Sequence, residues 1–192
     1  MSVLAIRIEG KGMPRFTEAF QQLGTEKRAH SAYRRGVNRV GRKAFTATRR
    51  ALAKQVGLSQ TKTVALGNIR TTSANFQSLR FLIESTGATL SLKEFSAKQF
   101  GYGVRAKPWG RSQRFPHAFI FAGHPKSGRP VAGGHVFKRT GSSSLPIEKL
   151  WGPSIPKEIV KDESRDAFQT TARELPDRIR HEIRAMTKGA VT

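Results

Sequence analysis

Residues 25–57 run TEKRAHSAYRRGVNRVGRKAFTATRRALAKQVG, with two periodic patterns superimposed. Tyr33, Val37, Val40, Ala44, Ala47 and Ala51 recur at gaps of four and three, the spacing of a helix edge that packs on something. Arg28, Arg35, Arg42 and Arg49 recur at strict intervals of seven. At 3.5 residues per turn that row falls opposite the apolar seam and runs for about 30 Å at 1.5 Å per residue. The stretch therefore predicts one long helix, ending at about Val56 before Gly57, with a buried edge and a cationic edge.

Upstream, Val3, Ala5 and Glu9 alternate with Leu4, Ile6 and Ile8, a β-prone run closed by Gly10 and Gly12. Pro14 then suits the first turn of a short helix with Phe16, Ala19, Phe20 and Leu23 on one face and Gly24 as its stop. Downstream, Thr63 to Ile69 can form a brief helix. Leu79 to Ile83, Gly101 to Lys107, His117 to Ala122 and His135 to Arg139 are strand candidates, separated by Gly, Pro and basic residues. Trp109 to Phe115 and Gly123 to Gly134 read as exposed loops, the first carrying Arg111 and Arg114, and Gly141 to Ser144 as a flexible link. Leu145, Pro146, Gly152, Pro153 and Pro156 impose an irregular extended crossing before a last helix. The apolar row of that helix is Phe168, Ala172, Leu175, Ile179, Ile183 and Met186, and Pro176 should kink or restart it.

The fold expected is α+β: an N-terminal strand and long basic helix (1–57), a small, mostly antiparallel sheet (58–147) and a kinked C-terminal helix (148–192), in a single domain. At 192 residues with 37% hydrophobic content spread in periodic runs, a packed core is within reach and wholesale disorder is excluded.

Lys and Arg number 35 against 13 Asp and Glu, a formal charge of +22, and such a surface seeks a polyanion or an acidic protein. The excess is uneven. Residues 1–57 hold 13 basic and 3 acidic side chains, residues 58–147 hold 13 and 2, and residues 148–192 hold 9 and 8. An anionic partner should thus meet the first three quarters, while the last quarter reads as a mixed-charge helix surface. The absence of cysteine excludes disulfides, thiolate nucleophiles and Cys-ligated zinc, and fits a reducing cytoplasm. No apolar run reaches the roughly 18 residues of a membrane span, so a soluble protein with no membrane partner is expected.

Arg28, Arg35, Arg42 and Arg49, with Arg111 and Arg114, are the candidate contacts to DNA or an acidic partner. The plainer reading of the helical row is a solvated face, but such faces mix signs, and Glu26 is the only acid between Thr25 and Gly57. Phe100, Tyr102, Trp109 and Phe115, interleaved with Arg105, Lys107, Arg111 and Arg114, have the texture of a single-strand stacking surface; a sheet core with a basic loop is the reading preferred here. His117, His124 and His135 match no metal-ligand spacing, and no acid lies between Glu94 and Glu148 to join them, so neither metal nor other cofactor is expected. Leu145, Pro146, Ile147 and Trp151 either anchor a neighbouring subunit or pack on their own sheet; with Phe137 they form the candidate subunit interface (Phe137, Leu145, Ile147, Trp151). No Ser, His and Asp set or carboxylate pair is spaced for catalysis, so no catalytic residues are assigned and an enzyme is not expected.

From His117 onward the chain resembles the prophage minor tail protein Z family. The likeness rests on Ala118, Phe119 and Ile120 ("AFI"), Val136 to Arg139 ("VFKR"), Leu145 to Ile147 ("LPI") and Gly152 to Ser154 ("GPS"), in that order, ahead of a C-terminal helix and behind a basic, Ala-rich helix. It implies a structural component at the head-proximal end of a phage tail, built as a ring of six copies in the usual symmetry, and supplies no catalytic residues. The implied partners are the tail terminator, the tail tube, the head-completion or connector proteins, and the tape measure protein or the DNA end in the channel. The implied location is the neck of a virion assembled in the host cytoplasm. A general nucleic-acid-binding protein of ribosomal or nucleoid type uses the same charge and is the alternative.

Overall fold

The computed structural model describes residues 1–7, 26–122 and 129–186. The short helix expected from Pro14 to Gly24, and His124, lie outside them. Strand β1 (Ser2–Arg7) turns Leu4 and Ile6 inward. The next described elements are the long helix α1 (Glu26–Val56) and a short helix α2 (Gln60–Leu66), the second capped by the Ser59 hydroxyl, which accepts from the Lys62 amide. Strands β2 (Ile69–Thr72) and β3 (Arg80–Ser85) follow, and β3 is the centre of an antiparallel β1-β3-β2 sheet. Its register sets Ile83 beside Leu4 and Phe81 beside Ile6. Phe81, Ile83 and Ser85 alternate inward, as period two requires of a strand with one buried face.

Two glycines explain how α1 sits. A Cβ on Gly41 would stand 2.2 Å from the Phe81 ring, and one on Gly36 would stand 2.9 Å from Ile179. Five residues at 100° each place these two positions about 140° apart around the helix. One glycine therefore admits the sheet and the other admits the C-terminal helices, leaving α1 wedged between them. Glycine costs a helix interior about 1 kcal/mol against alanine, so close approach, not propensity, accounts for both.

The middle of the chain forms short strands: β4 (Thr89–Ser91), β5 (Lys98–Phe100), β6 (Gly103–Ala106), β7 (Gln113–Pro116), β8 (Ala118–Phe119), β9 (Phe121–Ala122), β10 (Arg129–Pro130), β11 (Phe137–Arg139), β12 (Ile147–Lys149) and β13 (Trp151–Ser154). They pair antiparallel as β5-β6-β7, β12-β11-β8, β13-β4 and β10-β9. The expected small antiparallel sheet is thus distributed over several two- and three-stranded pieces, because Gly, Pro and turn residues break every run before it lengthens. The Trp109 to Phe115 segment is only partly a loop: Pro108–Gly110 is one tight turn, and Arg114 already belongs to β7. The crossing after Pro146 also contains two strands, β12 and β13, that its Gly and Pro content concealed.

The C-terminal helical stretch is bent, in three pieces: α3 (Ile155–Ile159), α4 (Asp162–Ala172) and α5 (Leu175–Met186). Pro176 lies in the first turn of α5, where its missing N–H has no partner to lose, so it restarts the helix. Both α4 and α5 pack on α1. Lys43 pairs with Glu174 at 2.6 Å and Lys54 with Glu163 at 3.7 Å. These pairs are exposed and are worth only about 0–1 kcal/mol each. They engage Glu174 and Glu163, two of the eight acids of residues 148–192, with lysines of α1 and not with its arginines. The main core cluster has Leu52, Val56, Phe81, Ile83, Phe95, Val104 and Ile155 at its centre, and Ala29 and Ala32 of α1 form a second, small one with Ile183 and Met186 of α5.

Candidate functional site

Along α1 the apolar seam follows Tyr33, Val37, Val40 and Ala44 as expected, then departs. Ala47 and Ala51 are half-buried, and the line continues through Thr48, Leu52 and Val56. Three successive steps of four turn the buried face by about 120° around the helix. The arginine row drifts the other way, by about 20° per heptad and about 60° from Arg28 to Arg49. Arg28, Arg35 and Arg42 stay on the open side, exposed and without an ion pair among the described residues. Arg49 has rotated into the turning seam, which corrects its place in the row: it is half-buried, its Nε is buried without a hydrogen-bond partner, and its guanidinium lies 5.7 Å from the Phe45 ring centroid. The cationic edge is therefore three arginines long, with Arg39 and Arg50 exposed on its flank.

Arg111 and Arg114 are both exposed, Arg111 at the end of the Pro108–Gly110 turn and Arg114 within β7. The β5-β6-β7 register places Lys98, Arg105 and Arg114 side by side in one cross-strand row. In the next row Phe100 faces Gly103, whose φ of +140° and approach to the Phe115 carbonyl, 2.3 Å from an added Cβ, leave no room for a side chain. The preferred core reading of the aromatics holds for Phe115, which packs against the core cluster, and fails for Phe100 and Tyr102. The buried face of this sheet is taken by Val104 and Ala106, so Phe100 and Tyr102 turn to the other side and stack on each other at 5.5 Å. Arg105 lies over Phe100 at 4.6 Å and Arg114 over Tyr102 at 5.4 Å. Trp109 is exposed and donates its indole N–H to Glu158 Oε1 at 3.3 Å.

Sequence reasoning missed Lys98 altogether and left Arg105 out of the contact set. The string KQFGYGVRA carries the signal of a hairpin, but the pairing of Lys98 with Arg105 depends on the register that its turn adopts.

The candidate interface residues lie in two sheets and a loop. Phe137 is half-buried and pairs across strands with Phe119, ring centroids 6.2 Å apart. Ile147 is half-buried in the neighbouring strand, opposite Arg139. Leu145 is 67% exposed in the loop that joins β11 to β12, so it does not pack on its own sheet. Trp151 lies in β13, paired with β4, and is 53% exposed with the Lys149 ammonium 4.3 Å from its ring centroid. The strings AFI, VFKR and LPI do come together, since they contribute to β8, β11 and β12 of a single sheet.

Among the described residues no group of His, Asp and Glu side chains converges for a metal. His135 Nδ1 instead lies 2.8 Å from the Ser91 hydroxyl. Burial, then the Lys149 and Lys93 charges, hold its imidazole below the ordinary histidine range, against a smaller upward pull from Glu94. Above pH about 6.5 the ring is neutral whether the chain is folded or not. Below that, the unfolded chain takes up the proton first, so stability falls as pH drops from the ordinary value towards the lowered one. Denaturant titrations at pH about 7.5 and 5.5 are expected to show that fall, and His135→Gln to reduce it; an identical fall in both chains would remove His135 as its source.

Comparison with known protein families, with curated proteins and with solved structures finds no match.

Proposed function

We propose that this chain is a structural, non-enzymatic minor tail or tail-completion protein of a tailed phage. In this reading it forms a ring, six copies in the usual symmetry, at the head-proximal end of the tail and helps join tail to head. Its neighbours are the tail terminator, the tail tube and the head-completion or connector proteins, with the tape measure protein or the DNA end inside the channel. The observation that carries the reading is the edge made by Arg28, Arg35 and Arg42: exposed and without an ion pair among the described residues, on a helix held elsewhere by sheet and C-terminal helices. A ring in a DNA-conducting channel faces a polyanion or an acidic neighbour, and this edge has the charge for either. The likeness of four ordered strings to the minor tail protein Z family supports the same role.

The test is complementation of a phage lacking the protein with an Arg28→Glu, Arg35→Glu and Arg42→Glu chain. Joined, infectious particles are expected to fall by about ten- to a hundredfold, the equivalent of about 1.4–2.7 kcal/mol of lost contact. Lysine at the same three positions should retain most of the count. Wild-type numbers from the glutamate chain would remove the edge from assembly. Coupled with tight binding of free duplex or RNA at physiological salt, they would favour the ribosomal or nucleoid alternative.

A further inference from the structure

The outer face of the β5-β6-β7 sheet sets three cations, Lys98, Arg105 and Arg114, directly beside one another. All are exposed, and none has an ion pair among the described residues. The acids of this part of the chain are elsewhere: of Glu84 and Glu94, the second pairs with Lys62 at 3.2 Å. At a strand spacing of about 4.8 Å the row spans about 10 Å, no more than a Debye length in dilute salt, so its members repel. Like charges directly opposite across a sheet destabilise it, and among the described residues no acidic side chain pairs with these three.

The aromatic pair explains how the row is held. Phe100 already has Tyr102 and Arg105 against its ring, and Tyr102 has Phe100 and Arg114. A nucleotide base would have to displace one of these contacts to stack there. The rings serve instead as a platform that positions two guanidiniums, leaving less side-chain freedom to lose on binding. Among the described residues the guanidinium N–H groups of Arg105 and Arg114 have ring faces and no hydrogen-bond acceptor against them, and they can donate to a phosphate.

We propose that this face binds the phosphodiester backbone of a nucleic acid through Lys98, Arg105 and Arg114, without stacking on or reading its bases. A duplex carries one charge per about 1.7 Å of axis with both strands counted, so about six phosphates lie along a 10 Å length and some face the row in any register. A protein surface mixes signs, and matching three adjacent cations there requires an acidic row of the same spacing. The contact goes beyond the assembly role, and the two fail separately: particle counts test the joining edge on α1, whereas salt dependence tests this sheet face.

The experiment titrates the full chain against two labelled 20-base-pair duplexes of unrelated sequence and one single strand, between about 50 and 200 mM salt. Lys98→Gln, Arg105→Gln and Arg114→Gln together are expected to weaken binding of both duplexes alike. They should also reduce the slope of log K against log salt by about 2.7, at about 0.9 per phosphate contact. Across that fourfold salt range the wild type then loses about fortyfold more affinity than the variant. Arg105→Lys with Arg114→Lys should keep the slope, and Arg105→Gln alone should lower it by about 0.9, which retains the test if the triple variant does not fold. An unchanged slope in the glutamine variants overturns the proposal. So does a loss confined to one duplex, or polyglutamate competing as well as DNA per charge. A Phe100→Leu and Tyr102→Leu chain that loses single-strand binding with its salt slope intact would point to base stacking and would equally overturn it.

Discussion

Phe81→Ala is expected to destabilise the protein by about 3–5 kcal/mol, the range for emptying a large aromatic site in a packed core. Phe81 is 1% exposed, lies in the central strand of the β1-β3-β2 sheet, and rests where α1 has no side chain at Gly41. The backbone of a 31-residue helix cannot readily move in to fill the space, because α4 and α5 hold it from another side. Gly41→Ala attacks the same contact from the helix. Its Cβ would arrive 2.2 Å from Cγ of the ring, and the overpacking cost of about 1–3 kcal/mol exceeds the gain of about 1 kcal/mol in helix propensity across most of that range. Since the new methyl clashes only when the ring is present, the two changes are not additive: in the Phe81→Ala background, Gly41→Ala should be neutral or stabilising. A urea double-mutant cycle measures this. Additive losses would mean that the helix and β3 do not meet at this pair.

The same pair shows where sequence reading succeeds and where it stops. The C-terminal end of α1 was legible because a period of fours and threes sustained from Tyr33 to Ala51, about five turns, has few competitors and Gly57, at φ +78°, ends it. Its two-sided burial was not, because a glycine read alone marks flexibility, and only the approach of Phe81 and Ile179 shows what Gly41 and Gly36 admit. The row of arginines was legible as a repeat, yet a repeat of seven on a helix of 3.6 is a slowly turning line. Three members share a face and the fourth runs into a seam that turns to meet it.

In the sheets the limit was different. Alternation separates two faces without saying which is inward, and here the smaller Val104 and Ala106 take the core while Phe100 takes the outer face. Lys98, Arg105 and Arg114 are seven and nine residues apart in the chain, so their adjacency is a property of strand register, which local pattern does not encode. Strands as short as β8, β9 and β10, two residues each, have no period to detect.

Gln55→Ala is expected to cost about 2–3 kcal/mol, an unusual loss for a polar residue at the end of a helix. Helix α4 begins at Asp162 behind Lys161, whose side chain makes no capping hydrogen bond. Its third-position amide, Ser164 N–H, finds its acceptor on another helix instead, donating to Gln55 Oε1 at 3.2 Å. The Gln55 amide nitrogen in turn donates to the Glu158 carbonyl at 3.1 Å and its carboxylate at 2.8 Å, while the Ser164 hydroxyl has its nearest acceptors in the Glu158 and Lys161 carbonyls at 2.7 and 2.8 Å. Gln55 thus supplies the cap that the local sequence lacks and ties α1 to α3 and α4 in one step. Loss of a cap costs about 0.5–2 kcal/mol, and a polar group left unsatisfied about 1–3 kcal/mol. Ser164 is fully buried, so water cannot readily replace the missing acceptor. Gln55→Glu offers a useful contrast: it keeps an oxygen for the Ser164 amide but sets a carboxylate against that of Glu158, so it should also destabilise, and more at neutral pH than in acid. Hydrogen exchange at the Ser164 amide locates the effect. If that amide exchanges no faster in Gln55→Ala than in the wild type, the cap is supplied by some other group and the predicted loss has no cause.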